Sequence, residues 1–304
     1  MAGIMVRGGF NSLLRTELAG VYLGTYKERP LEYPFFFNVS DMETNPEKYQ
    51  QVSGLGSALV MGEGDTFPLD EAVLGGTKSY EVVNRGLAIE ITYRLWRDEK
   101  YGVMRDLVAE LARGMRNPQE VSAWSILMNA FDNAFPGFDG VSLCSTAHPP
   151  YAPGGVSRAN RPATDIGFGV TALQNAIIRF EDQVNDRGLP NLLSPSKILV
   201  STANRFLARE ILGSGGKPFV ADNEINALVA DDLSYQVCHY FTTKSAWFVA
   251  AAKGVHDLNF KWRDRPMFDG FDDPWTKNAI FTAFMAYDVG FGSDRGIDGS
   301  KAAA

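Results

Sequence analysis

The chain has 304 residues, 45% of them hydrophobic and 12% aromatic, enough for one large domain or two modest ones. Its 36 acidic and 29 basic residues leave a net charge of -7, with no run of five like charges. The lack of a basic stripe excludes a protein that grips nucleic-acid phosphates over a broad surface, and two cysteines, Cys144 and Cys238, make no disulfide framework.

No apolar run approaches the ~20 residues of a membrane helix, and Met1–Phe10 lacks the apolar core of a signal peptide. A soluble protein made and used in a reducing cytoplasm is expected, with both thiols free. In chain order, Ser12–Leu23 reads as a short amphipathic piece ending at the charged turn Lys27-Glu28-Arg29-Pro30. It offers too little apolar surface to fold alone and is expected to pack on something else, such as a neighbouring subunit. On that reading, deleting residues 1–25 leaves a folded subunit. Residues 31–53 read as extended structure containing Phe35-Phe36-Phe37. Glycines at 54, 56, 62, 64, 75, 76 and 86 then punctuate short β-like runs. Ser57–Met61 and Lys78–Val83 are predicted to pair as arms of a long projecting hairpin, the far arm continuing through Leu87–Tyr93.

A helical pattern roughly forty residues long starts near Asp98. Tyr101, Met104, Val108, Leu111 and Met115 recur at three- and four-residue steps, and the steps resume through Val121, Trp124, Met128, Phe131 and Phe135. At about 1.5 Å per residue it spans roughly 55 Å, a strut more than a core helix. Gly114 and Pro118 predict a kink or break near Arg116–Pro118, or two stacked helices with Asn117 as the second cap. A loop over Tyr151–Pro162 and a composition shift near Thr164 suggest a domain boundary. Beyond it come a helix over residues 171–186, a buried strand Lys197–Ser201, a helix Thr202–Leu212 stopped by Gly213-Ser214-Gly215-Gly216, and an apolar strand Trp247–Ala252. Lys261–Arg263 and Ala279–Val289 read as strands returning to the first domain, and residues 299–304 as a frayed tail.

Chemistry finds little support. His148, His239 and His256 have no partner at metal-ligand spacing, and Cys238 and His239 point to opposite faces of a strand. Cys144, Ser145 and His148 allow a nucleophile–base reading, but they sit on a proline-rich loop without a Gly-x-Ser-x-Gly elbow, so His148 is read as anchoring a turn before Pro149. Gly213–Lys217 lacks the Ser/Thr and the glycine spacing of a phosphate loop. Asp222/Glu224 and Asp231/Asp232 read as solvated surface or helix caps. Asn38-Val39-Ser40 fits a glycosylation sequon in form alone. No catalytic, cofactor-binding or metal residue is assigned.

One ordered set of motifs remains: Gly86-Leu87-Ala88-Ile89-Glu90-Ile91-Thr92, Arg97-Asp98-Glu99-Lys100-Tyr101-Gly102, Asp139-Gly140 with Leu143-Cys144-Ser145-Thr146-Ala147-His148-Pro149, and Ser157 with Asn160. Asp186-Arg187-Gly188-Leu189-Pro190, Pro195-Ser196-Lys197-Ile198-Leu199-Val200 and Trp247-Phe248-Val249 follow. The set resembles the major capsid proteins of tailed bacteriophages with the Hong Kong 97-type fold, closest to the Mu-like major head subunit group, over about residues 50–293. The resemblance implies an α+β fold: an N-terminal arm (1–30), a peripheral domain (31–53, 89–163 with a spine helix, and 258–293), an extended hairpin loop (54–88), an axial domain (164–257) and a tail (294–304). It implies no enzyme and no cofactor. It implies hexamers and pentamers in an icosahedral shell around double-stranded DNA, with the axial loop Gly213–Glu224 at the capsomer centre and non-specific contact with DNA. A portal, a separate scaffolding protein and an optional cement protein are the implied partners. The protein would be part of the virion, assembled in the host cytoplasm. Lys78 is read as an ordinary surface lysine, without a crosslinking role. An encapsulin-like nanocompartment shell is the alternative, and a hydrolase using Cys144 or Ser145 with His148 the third reading.

Overall fold

The computed structural model describes residues 7–97, 101–216, 218 and 225–302. The expected helix start at Asp98, the side chain of Tyr101, Lys217, Asp222, Glu224 and most of the loop Gly213–Glu224 lie outside what is described. In chain order the elements are α1 (Arg7–Lys27), a 3-10 turn (Tyr33–Phe35), β1 (Asn38–Asp41), β2 (Glu47–Val52), β3 (Leu74–Tyr80), β4 (Val83–Ile91), α2 (Tyr93–Arg97) and α3 (Tyr101–Met128). There follow α4 (Val170–Glu181), β5 (Pro195–Ser201), α5 (Arg205–Gly213), β6 (Ser234–Cys238), β7 (Trp247–Ala251), β8 (Leu258–Asp272), β9 (Ala279–Phe291) and β10 (Ile297–Ser300).

Two four-stranded sheets organise the chain, in the orders β1-β8-β9-β4 and β10-β7-β5-β6. In the first, β1 runs parallel to β8, and the long β8–β9 hairpin pairs antiparallel with β4. The returning strands expected near Lys261 and Ala279 are these two. In the second sheet, strand alternation divides the side chains between two cores. Ile198, Val200, Trp247 and Val249 face α4 and α5, whereas Leu199, Phe248 and Ala250 join the large cluster around α3. The second sheet is therefore covered on both faces, which accounts for the unbroken apolar run of β7.

The strut forms, but as one helix of 28 residues that runs through Pro118, roughly 42 Å long. The break and the two-helix alternative are not what folds. The carbonyl that Pro118 leaves without its N–H belongs to Gly114, and Gly114 serves a different need: a Cβ there would stand 3.0 Å from Leu87 Cδ2 of β4. Close approach of the sheet and burial of the helix on both flanks offset the roughly 3 kcal/mol proline penalty. The first half of the apolar face is as read, with Met104, Val108, Leu111 and Met115 buried. In the second half Trp124 is buried and Met128 and Phe131 pack partly buried on the core as read, but Val121 is 44% and Phe135 49% exposed. Gln119, Glu120, Ala123 and Leu127 complete the buried row, its two polar residues having hidden its centre.

Three further expectations change. Ser57–Met61 forms no strand and pairs with none of the described residues. The near arm of the hairpin is β2, in register from Glu47↔Tyr80 to Val52↔Leu74, and Ser53 N–H donates to Val73 O (2.8 Å) where the strands part. Phe35-Phe36-Phe37 is not a strand; Phe35 ends the 3-10 turn, Phe36 caps it, and Phe36 and Phe37 are fully buried. The tail is not frayed at residues 297–300, because β10 pairs with β7 from Ile297↔Ala250 to Ser300↔Trp247, with all four residues buried. Helix α1 does pack on something, namely its own chain. Leu18 and Tyr22 are buried, Tyr22 stacks on Phe268 of β8 (centroids 4.7 Å apart), and Tyr26 Oη donates to Gln119 Oε1 of α3 (2.9 Å). Deleting residues 1–25 would uncover that core surface, so the truncation costs stability as well as any outward contact.

Candidate functional site

Sequence spacing scattered its polar residues, and the fold collects them where the two sheets meet. The loop after α3 doubles back, His148 and Arg158 exchanging two backbone hydrogen bonds (2.7 and 3.1 Å). This aims Asp139, His148, Arg158 and Asn160 at the turn between β9 and β10, and Asp186 reaches in from the loop after α4. Asn160 Nδ2 donates to Leu143 O (2.7 Å) and Asp294 O (3.3 Å), so its Oδ1 is the acceptor for Ser145 N–H (2.8 Å) and for His148 Nε2 (3.0 Å). His148 Nδ1 lies 2.5 Å from Asp139 Oδ2. Both ring nitrogens thus face acceptors and both must donate, which makes His148 an imidazolium. Burial pulls its pKa down, but the hydrogen bond to Asp139 and the charge of Asp294 prevail, and the net shift is upward. Arg158, 3% exposed in its side chain, bridges Asp186 and Asp294 (3.2 Å to the latter), and Arg295 Nη2 donates to Asp186 Oδ2 (2.6 Å). Burial raises the Asp294 carboxyl, yet the charges of His148 and Arg158 hold it below its usual range.

This geometry decides the catalytic and metal readings. Asp139, His148 and Asp294 offer ligand atoms within 4.8 Å of one another, a grouping that sequence spacing hid. Their lone pairs are already engaged by ring N–H and guanidinium donors, and a third cation there would oppose the two already present. A base needs a free ring nitrogen, and His148 has none. Cys144 is wholly buried, and burial pushes its thiol well above the ordinary value. Ser145 Oγ donates to Ala147 O (3.2 Å) as part of a local turn. The nucleophile–base reading is overturned, and His148 anchors the loop before Pro149 as read from the sequence. Cys238 is buried, its thiol pushed up to about 12 by burial, while its exposed neighbour His239 points away to Glu32. His256 is buried and pulled down to about 4, by burial first and then by Lys197 and Lys253. Among the residues of the buried junction, Asp139, Asn160 and Asp186 fell within recognised motifs, whereas Arg158 and Asp294 carried no local signal.

Away from this junction the chain extends two features into solvent. The segment between β2 and β3 has no strand or helix, and Leu59, Val60, Phe67 and Leu69 on it are 69–101% exposed. Arg187 Nη2, beside the buried junction, holds its return limb through Glu71 O (2.7 Å) and Asp70 (3.3 Å). The other feature is the turn between β8 and β9, where Trp275 is 92% exposed.

No curated protein sequence matches the chain. Solved structures do match in fold. A structure from Microbacterium phage Oxtober96 superposes with a TM-score of 0.53 at 11% identity, over 90% of this chain and 92% of that one. The procapsid of bacteriophage JBD30 gives 0.54 at 14% identity, over 98% and 77%. The capsid of the cyanophage P-SCSP1u gives 0.57 at 11%, over 88% and 86%. At such identities these matches speak for the fold, a mixed helix-and-sheet architecture shared with phage capsids. The sequence profile of the family described as phage capsid protein matches residues 75–297, from β3 through the first residue of β10. That stretch holds the strut helix, every strand of the two four-stranded sheets except β1 and the last three residues of β10, and every member of the buried junction, and on it the chain belongs to the phage capsid protein family.

Proposed function

We propose that this chain is the major capsid subunit of a tailed bacteriophage, with the Hong Kong 97-type fold and closest to the Mu-like head subunit group. Copies assemble as hexamers and pentamers into an icosahedral shell around double-stranded DNA. The observation that carries the reading is the family match over residues 75–297, which takes in the strut helix and most strands of both sheets. The chain's two projecting apolar features support it, since a lone monomer gains nothing from exposing them. In this reading residues 31–53, 89–163 and 258–293 form the peripheral domain, residues 164–257 the axial domain, residues 54–88 the extended loop and residues 1–30 the arm. Portal and scaffolding proteins are the expected partners, DNA is touched without sequence preference, and the protein works in the virion after assembly in the host cytoplasm. A cargo-enclosing shell shares the geometry, but the family that matches is that of phage capsids.

Electron microscopy of the purified protein, alone and co-expressed with its genomic neighbours, tests the proposal. Closed uniform shells, or rings of five and six, are expected. A monodisperse monomer or dimer under every condition would overturn it.

A further inference from the structure

The β8–β9 hairpin carries complementary features at its two ends. At the tip, the turn is pinned from several sides. Asp273 accepts Trp275 N–H (3.0 Å) and Thr276 Oγ (2.6 Å), and Lys277 N–H donates to Asp273 O (2.8 Å). Asn278 Nδ2 donates to Glu90 Oε1 (2.6 Å) and Asn278 Oδ1 accepts Tyr93 N–H (3.0 Å). The turn therefore holds the Trp275 backbone in place and presents its indole, 92% exposed, to solvent. An exposed aromatic on a pinned backbone is what the centre of an interface uses.

At the root of the same hairpin, between it and the β2–β3 pair, lies a cleft of about 460 Å³. Its apolar wall includes Tyr49, Val52 and Val255, which are 40–50% exposed, and buried Tyr80. Two polar groups of the wall are underused. Among the described residues Gln51 Oε1 has no hydrogen-bond partner, and the Asp257 carboxylate accepts one hydrogen bond, from Ser293 N–H at 3.3 Å, with the charge of Arg295 also in the cleft wall beside it. The tip carries the matching chemistry, an indole N–H and the exposed ammonium of Lys277. Rotation of the Gln51 amide about its soft last torsion turns the oxygen towards the cleft.

The two ends cannot meet within one chain. From Asn259 to Asp272 the strand covers roughly 40 Å at about 3.3 Å per residue, and the paired hairpin holds tip and root apart. We propose that Trp275 of one copy seats in the cleft formed by Tyr49, Gln51, Val52 and Tyr80 of the next copy. Such a contact joins unlike patches head to tail, so it propagates through further copies and ends only in a closed ring or shell. This inference rests on the capsid reading and names one of its subunit contacts. A self-paired dimer through either feature is the competing arrangement.

Paired cysteines in the full-length chain separate the possibilities. Val52→Cys lines the cleft, Pro274→Cys stands beside Trp275 without removing it, and the native Cys144 and Cys238 are both buried. Particles of the Val52→Cys/Pro274→Cys double variant, oxidised and run without reductant, are expected to give a ladder of covalent dimers, trimers and larger species. Each single variant is expected to stay monomeric. Trp275→Ala should keep the wild-type melting temperature and need a roughly tenfold higher concentration to assemble. Particles of normal yield with no ladder, or a dimer from one single variant, would overturn the head-to-tail contact while leaving the capsid reading intact. Wild-type protein that forms no particle under any condition would remove both.

Discussion

The buried junction makes a quantitative claim about His148. Replacing it with alanine removes the donor facing Asp139, whose side chain is 5% exposed, and leaves that carboxylate one backbone N–H, from Val141 at 3.1 Å. Breaking a buried pair from one side costs about 3–5 kcal/mol. At about 2–4 °C per kcal/mol for a large domain, the melting temperature should fall by roughly 6–20 °C. Loss of packing alone would also destabilise, so the informative comparison is a double-mutant cycle. In an Asp139→Asn background no carboxylate is stranded, and His148→Ala should cost half as much or less. The pH dependence has a definite sign. The folded-state pKa of His148 lies above 6.5, so its contribution is fully present below pH 6.5 and is lost as pH rises through the raised value. Urea midpoints from pH 6 to 9 should decline in the wild type and flatten in His148→Ala. Equal costs in both backgrounds together with a pH-independent wild type would refute the imidazolium assignment.

Gly299→Ala should cost about 1–3 kcal/mol, because a Cβ there meets the Phe248 ring at 2.6 Å and Cys144 Sγ at 2.8 Å; thermal melts check it, and an unchanged melt would mean that β10 detaches freely. Glu120→Ala strands the N–H groups of Glu32, Tyr33 and Trp124 that its carboxylate accepts (2.6, 3.1 and 2.9 Å). At about 1–3 kcal/mol per buried orphan, the variant should be poorly soluble, which yield after expression measures. His256, held down to about 4, acts opposite to His148: the unfolded chain takes up its proton first, so stability falls as pH drops from 6.5 towards 4. His256→Gln should reduce that slope in urea titrations at pH 5 and 7. The Lys261 ammonium lies 4.2 Å from the Tyr49 ring centroid and 5.4 Å from that of Tyr80 and pairs with Glu47. Lys261→Met should therefore loosen β2–β3 and speed limited proteolysis within residues 53–73, with the β8–β9 hairpin unaffected.

Periodicity told the truth wherever one kind of side chain filled a face. The first turns of α3, the helix α4 and the strand β7 were legible because their buried positions are apolar without exception, and β5 because Ser201 at its end is the one buried position that is not. The phase was lost where polar groups entered the core. Gln119 and Glu120 hold the segment before β1 against α3, and a pattern search shifts to Val121 to avoid them. Ser57–Met61 failed in the opposite sense, being apolar and strand-like but without a pairing strand among the described residues. Strand β10 was unreadable because Asp298, Gly299 and Ser300 look like solvent residues. Asp298 is buried only because Arg179 reaches it from α4 with two 2.6 Å bonds, and Gly299 is there because nothing larger fits.

The same distinction separates what the subunit fixes from what it leaves open. Alternate residues of β5 and β7 belong to different cores, and Arg158 ties three loops across the seam between the sheets, so the two sheets move as one body. A rigid body of this kind cannot adapt its shape to differently curved neighbours. If copies assemble in both five-fold and six-fold rings, as proposed, the freedom this requires lies in the segments held by few or exposed contacts: the stretch from residue 53 to 73, clasped by Arg187, and the outward face of α1. Their exposed apolar residues fit that role, because contacts made after folding leave the folding core untouched.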